Sequence, residues 1–289
     1  MTQPRSWNRH SLYYLTASSE FHFLNREKNI FNSPNTCHAS ATPASGGAKT
    51  VLADYGNIEA LFLLLEEHKV ETVISTIGLM GAEAIQSQLN LIAAADKAKS
   101  THRFVPSEFA VYVSPEDSNA AAFGAWLDAA AALKKTGLTY TRVISGWFMD
   151  YFGMPHTPSN LTPHAWAVDI ANRRAAIPGT GNELMTMTYS VDVARFVVRM
   201  LDGIDWPEVS IISGSDTTFD KILEIAEKIT DYGAGPASAE ETQAMMALFG
   251  LMSVEGRILV PEDNRMNDKY PEIHPVGIEE LLTEAWTGK

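Results

Sequence analysis

Two short stretches of the sequence combine hydroxyl, carboxylate and small residues at the ends of apolar runs. Ser75, Thr76, Ile77 and Gly78 close a run that begins at Val70, and Pro106, Ser107, Glu108 and Phe109 close a second run, Arg103 to Val105. Each run predicts a buried strand. In an open parallel sheet, ligands collect beyond the carboxyl ends of the strands, and small residues there let a ligand approach the backbone. A plainer role fits the same residues, in which Thr76 and Gly78 only turn the chain and Glu108 is a cap or a solvated carboxylate.

Several other chemistries are excluded because the required spacings are missing. The sequence has no P-loop, HExxH or GxSxG. No tyrosine has a lysine four residues later, the helical spacing that places a phenol beside an amine. His156 and His164 lie in a Pro-rich stretch without metal-ligand spacing and are expected to be structural or solvent-facing. One cysteine, Cys37, rules out an intrachain disulfide and a multi-cysteine zinc site, and suits a reducing compartment. The formal charge of −13 argues against a nucleic-acid footprint. No apolar run approaches the ~20 residues needed to span a bilayer. These readings together predict a soluble cytoplasmic protein with a small-molecule partner, and neither nucleic acid nor membrane.

The elements that would position the two stretches are legible from about Thr50. Val51 to Ala53 predicts a strand, Asn57 can cap a helix, and Ile58, Leu61, Phe62 and Leu65 share one helical face. After a turn at Gly78 to Gly81, Ile85, Leu89 and Ile92 recur on a helix running toward Ala98. A helix over about Ala120 to Lys135 ends at Gly137, and Tyr140 to Ile144 is the next strand. This alternation predicts a parallel sheet with helices on both faces. Later, Ser190 is expected to cap a helix with Val191, Ala194, Val198 and Leu201 inward and Gly203 at its end. A strand at Val209 to Ile212 and helices at Phe219 to Ile229, Ala239 to Phe249 and Gly277 to Ala285 complete the chain. Residues 1 to 47 show no clear period and contain no glycine before Gly46. The expected division is an atypical segment 1–47, a core 48–150, and a segment 151–289 that completes the sheet and forms a substrate lobe.

The run VISTIG from Val73, the helix IQSQLNLIAAADKA and the stretch RFVPSEF from Arg103 to Phe109 resemble the NmrA-like and isoflavone-reductase-like family. So do GLTYTRVISGWFMDYF, IPGTGNELMTMTYSVDVARFVV and the terminal YPEIHPVGIEELL; the resemblance covers roughly residues 48 to 289. It implies an α/β, Rossmann-like sheet with a smaller C-terminal lobe, a dinucleotide-binding role for the core 48–150, NADPH as cofactor, and reduction of an aromatic or polyketide-like metabolite. Ser75 to Gly78 and Pro106 to Phe109 would contact the cofactor. Trp126, Trp147, Phe148, Met149 and Phe152 would line the substrate pocket, although an aromatic cluster after a strand is as readily ordinary core.

Two departures from the family bear on function. The family's glycine-rich first turn, where backbone approaches the dinucleotide pyrophosphate, is missing from residues 1–45, so the first βα unit is expected to be atypical. The family's catalytic lysine falls, by ungapped counting from Gly137, on Trp126, whose indole cannot exchange a proton near neutral pH. A non-catalytic, dinucleotide-sensing regulator with a protein partner is therefore the alternative expectation.

Overall fold

The computed structural model describes residues 11–15, 20–25, 49–79, 81–117, 123–161, 163–165, 167–230, 235–236 and 250–289. Cys37 and the whole of the helix expected at Ala239 to Phe249 lie outside the described residues. The chain divides into two compact units, one comprising 1–108 with 113–142 and the other 109–112 with 143–289.

The first unit is built on six strands: β1 (Ser11–Leu15), β2 (Glu20–Asn25), β3 (Lys49–Leu52), β4 (Thr72–Ile74), β5 (Arg103–Val105) and β6 (Thr139–Tyr140). Their order is β3-β2-β1-β4-β5-β6. Strands β1, β4, β5 and β6 run parallel, whereas β2 pairs antiparallel with both β1 and β3. This is the doubly wound order, with the chain leaving β3 at one edge and resuming at β4 on the far side of β1. One strand, β2, is reversed. The N-terminal segment, in which no period was legible, thus supplies two strands; both are rich in β-forming aromatic and aliphatic residues, as in LYYL and FHFL. Because only four residues separate antiparallel β1 and β2, this pair is joined directly rather than by the helical crossover that parallel strands require. The expectation of an atypical first βα unit is met in this form.

Three helices connect the later strands: α1 (Ile58–Glu67), α2 (Ala82–Lys97) and α3 (Gly124–Leu133). All three crossovers step in the same direction along the sheet, so right-handed connections place them on one face. There α1 packs on α2 and α2 on α3. Helices on both faces were expected; within the described residues of this unit, these three form one row.

Asn57 caps α1 as its position implied, its Oδ1 accepting from the amides of Glu59 and Ala60 at 3.1 Å. Leu61 and Leu65 face the core, which they share with Val73, Leu91, Ile92, Ala95, Phe104 and Leu133. Asn57→Ala should lower stability by about 1 kcal/mol in urea denaturation, the usual worth of such a cap. The inward stripe of α2 differs from the one expected. Gln88, Leu91, Ile92 and Ala95 are buried, while Ile85 and Leu89 are only partly so.

The second unit contains β7 (Arg142–Ile144, whose first residue belongs to the first unit), β8 (Trp147–Phe148), α4 (Asp150–Gly153), β9 (Val168–Asp169), β10 (Arg174–Ala175), β11 (Met185–Thr188), α5 (Ser190–Met200), β12 (Val209–Ile211), β13 (Ser215–Thr217), α6 (Phe219–Thr230), β14 (Gly235–Pro236), α7 (Met266–Lys269) and α8 (Ile278–Trp286). Small sheets of order β13-β11-β8, β12-β7 and β14-β10-β9 hold it, with α6 and α4 packed on α8. Helix α5 buries Val193, Phe196, Val197 and Met200; of the stripe expected, Leu201 is buried, whereas Val191, Ala194 and Val198 are only partly so. No helix among the described residues is long and apolar enough to cross a membrane.

Candidate functional site

The carboxyl ends of β4 and β5 meet at one rim, beside the point where the strand order reverses between β1 and β4. The Ser75 amide donates to Val105 O at 2.8 Å, continuing the ladder one residue beyond β4. Ser107 then joins the two segments, its hydroxyl donating to Ile77 O at 2.8 Å and its amide to Gln88 Oε1 at 2.8 Å. Gln88 is a buried polar residue on the inward face of α2. Its role in the rim was not legible from spacing, because its partner lies 19 residues away.

The rim residues fall into distinct environments. Thr76 and Gly78 are exposed, whereas Ile77 and Pro106 are buried. Ser75 is fully buried, and its hydroxyl has no hydrogen-bond partner among the described residues. An unpaired buried hydroxyl is uncommon in native proteins and marks a place for water or a ligand group. Glu108 is buried too, and both its carboxylate oxygens are taken: Arg142 Nε donates to Oε2 at 2.7 Å and Nη2 to Oε1 at 2.6 Å. Burial pushes the Glu108 carboxyl above the ordinary carboxylate range, and the Arg142 guanidinium opposes that shift through its hydrogen bonds and charge. The reading of Glu108 as a cap or solvated carboxylate therefore gives way to a buried ion pair. Phe109 follows with φ of +37°, a left-handed backbone that costs an L-residue energy and collects at functional positions.

The residues expected on the substrate side divide by burial. Trp126 is half-buried on α3 and stacks on Phe123, with ring centroids 5.0 Å apart. Trp147 and Phe148, on β8, are also half-buried. Met149 and Phe152 are interior positions of the second unit, and the Phe152 carbonyl accepts from Trp286 Nε1 at 2.8 Å. Asp150, between them, is fully buried and accepts from Ser190 Oγ at 2.5 Å, Ser159 Oγ at 2.7 Å and the Ser190 amide at 2.9 Å. Ser190 was expected to cap α5 with its own side chain; instead the capping carboxylate is that of Asp150. His156 packs edge-on against Trp286, and His164 against Tyr151, as structural histidines do. Among the described residues, no cluster of His, Cys, Asp or Glu could hold a metal ion.

Comparison with known proteins agrees with this geometry. Oxidoreductase BOA1 of Botryotinia fuckeliana is 36% identical over 188 residues, which is 65% of this chain and 63% of BOA1, so the match spans less than two thirds of that relative. Oxidoreductase swnN of Metarhizium robertsii is 27% identical over an alignment covering 83% of this chain and 85% of its own. Among solved structures, the binary complex of leucoanthocyanidin reductase with NADPH from Vitis vinifera superposes with a TM-score of 0.62 at 18% identity, covering 81% of this chain and 84% of that one. AtPrR2 with NADP+ and (+)pinoresinol gives 0.61 at 20% identity over 80% of both chains. At such identities the likeness establishes the fold, which is Rossmann-like. The model of the NmrA-like family matches residues 30–249, which include β3 to β6 and the rim, and the chain belongs to that family.

Proposed function

We propose that this protein is an NADPH-dependent oxidoreductase that reduces a small aromatic or polyketide-like metabolite. The observation that carries the reading is the joined rim of β4 and β5 beside the point where the strand order reverses, with a buried Ser75 hydroxyl in it that is unpaired among the described residues. Crevices at such points receive dinucleotides. The names of BOA1 and swnN as oxidoreductases, and the NADPH or NADP+ in the two structures of similar fold, support the same reading.

In this reading Ser75, Thr76, Ile77, Gly78, Pro106 and Ser107 form the cofactor edge, with Glu108 and Phe109 shaping its exit. Ser75 has a hydroxyl to offer, and exposed Thr76 and Gly78 admit a ligand to the backbone. The Ser107 hydroxyl is already committed to Ile77, so it holds the rim together. Bound NADPH would supply a hydride, and the protein would position the acceptor and exclude water. Trp126, Trp147, Phe148, Met149 and Phe152 are proposed on the substrate side, where half-buried Trp147 and Phe148 keep surface for an aromatic acceptor. Trp126 cannot donate or accept the proton that accompanies reduction, so another side chain or a water must.

That last point favours one rival, a dinucleotide sensor that binds cofactor and a protein partner without turnover. Titration with NADPH and NADH by fluorescence, followed by NADPH oxidation against a panel of carbonyl and conjugated-alkene compounds, separates the two. The enzyme reading expects tighter binding of NADPH than NADH and turnover of at least one acceptor class. Binding without turnover across the panel would select the sensor; binding of neither dinucleotide by folded protein would refute both.

A further inference from the structure

The chain passes between its two units three times, after Glu108, after Tyr112 and after Arg142. The first-unit residues at those crossings are Glu108, Val113 and Arg142, and one side chain joins them. Besides its two bonds to the Glu108 carboxylate, Arg142 donates from Nη2 to Val113 O at 2.9 Å. All three residues are buried, with 7%, 1% and 4% of their surface exposed for Glu108, Val113 and Arg142. The left-handed Phe109 lies directly after the first crossing.

Resting on the reading of the rim as a dinucleotide site, we propose that Arg142 is a positioning residue that fixes where the chain leaves the first unit and thereby holds the Pro106–Phe109 edge of that site. A buried ion pair is poor evidence of a device for stability, since well-packed apolar residues of similar volume commonly stabilise as much. Geometry is what it adds. The planar guanidinium presents Nε and Nη2 to the two carboxylate oxygens in a fixed fork and still reaches a carbonyl, which an ammonium on a flexible stem cannot reproduce. Removing the clamp without leaving a buried charge should thus preserve the fold and loosen the rim.

The test compares wild type with the double variant Glu108→Leu/Arg142→Met and with Arg142→Lys. Three readouts are needed: thermal midpoint, NADPH dissociation constant, and amide hydrogen exchange. The informative amides are Ser107, bonded to Gln88, and Ser145 and Gly146, both bonded to Ala110 O at 3.0 and 3.1 Å. Both variants should remain folded, exchange these amides roughly ten times faster or more while those of β4 and β5 keep their protection, and bind NADPH about ten times more weakly, as loss of a pre-organised edge predicts. Arg142→Lys, with charge and approximate size kept, carries the test should the double variant not fold. Unchanged exchange at the three amides in a folded variant overturns the proposal. Altered exchange with NADPH affinity equal to wild type also overturns it, since the clamp would then be structural only. If wild type binds neither dinucleotide, the functional reading fails by itself, and the exchange data still decide whether Arg142 positions the rim.

Discussion

Replacing Gly146 by alanine should cost about 3–5 kcal/mol of stability, the range of severe backbone and overpacking lesions. Gly146 turns the chain from β7 into β8 with φ of +63°, and a Cβ there would lie 2.1 Å from the Thr186 carbonyl oxygen and 2.6 Å from its carbon. Those are backbone atoms that cannot step aside. Strand β11 is paired on one side with β8 and on the other with β13. Thr186 is further held through its hydroxyl, which donates to Asp216 Oδ1 at 2.6 Å and accepts from the Val260 amide at 3.0 Å. Gly256 provides the control: its φ is +68°, but a Cβ would meet nothing within 4 Å. Gly256→Ala should cost only the ~1–2 kcal/mol of a left-handed L-residue. Urea denaturation of both variants isolates the steric part, and equal losses would show that β8 and β11 can part more easily than their pairing implies.

The second large effect is expected at Asp150. Its carboxylate, fully buried, is balanced by two serine hydroxyls and by the Ser190 amide in the first turn of α5, where a negative charge is also favoured by the helix dipole. Asp150→Ala strands a buried amide and loosens the loop that Ser159 anchors, for a loss of about 2–4 kcal/mol, given ~1–3 kcal/mol for a buried donor left unsatisfied. Asp150→Asn keeps the shape and one acceptor oxygen but sets an NH2 group against a donor. It should lose about half as much, again on the scale of one unsatisfied donor. Thermal unfolding ranks the three proteins, and exchange at the Ser190 amide should accelerate in both variants. An alanine variant within about 0.5 kcal/mol of wild type, the scatter of ordinary surface substitutions, would remove Asp150 from the residues that order the second unit.

Much of the first unit could be read without coordinates because its signals are local. Asn57 sits at the position where its side chain meets the amides two and three residues on, and Leu61 and Leu65 lie one turn apart, so cap and inward face are written within ten residues, although Ile58, expected on the same face, is exposed in the first turn. The strand Arg103–Val105 was legible for the same reason. Where apolar residues surround a helix, periodicity gives the element but not its phase. On α2, Ile85, Leu89 and Ile92 make as regular a stripe as Gln88, Leu91 and Ala95, and packing buries the latter three together with Ile92 while leaving Ile85 and Leu89 only partly covered. On α5, Ser190 is of a residue type that commonly caps, yet the group that accepts from its amide stands 40 residues earlier.

The sequence by itself determined where β3, α1, β4, α2 and β5 lie and which two segments end at a strand's carboxyl edge, since those depend on periodicity, turn residues and caps within a few positions; the single strand expected at Tyr140 to Ile144 is instead divided between β6 and β7, in different sheets. It also carried the family motifs that predicted a Rossmann-like sheet. Tertiary structure decided the rest. The reversal of β2, the inward turn of Gln88, the pairing of Glu108 with Arg142 and the gathering of Ser159 and Ser190 on Asp150 join positions far apart in the chain or depend on strand pairing. A buried carboxylate needs donors whatever their place in the sequence, and no local pattern says which of several distant serines or arginines will be brought to it; that choice is made by close packing of the elements.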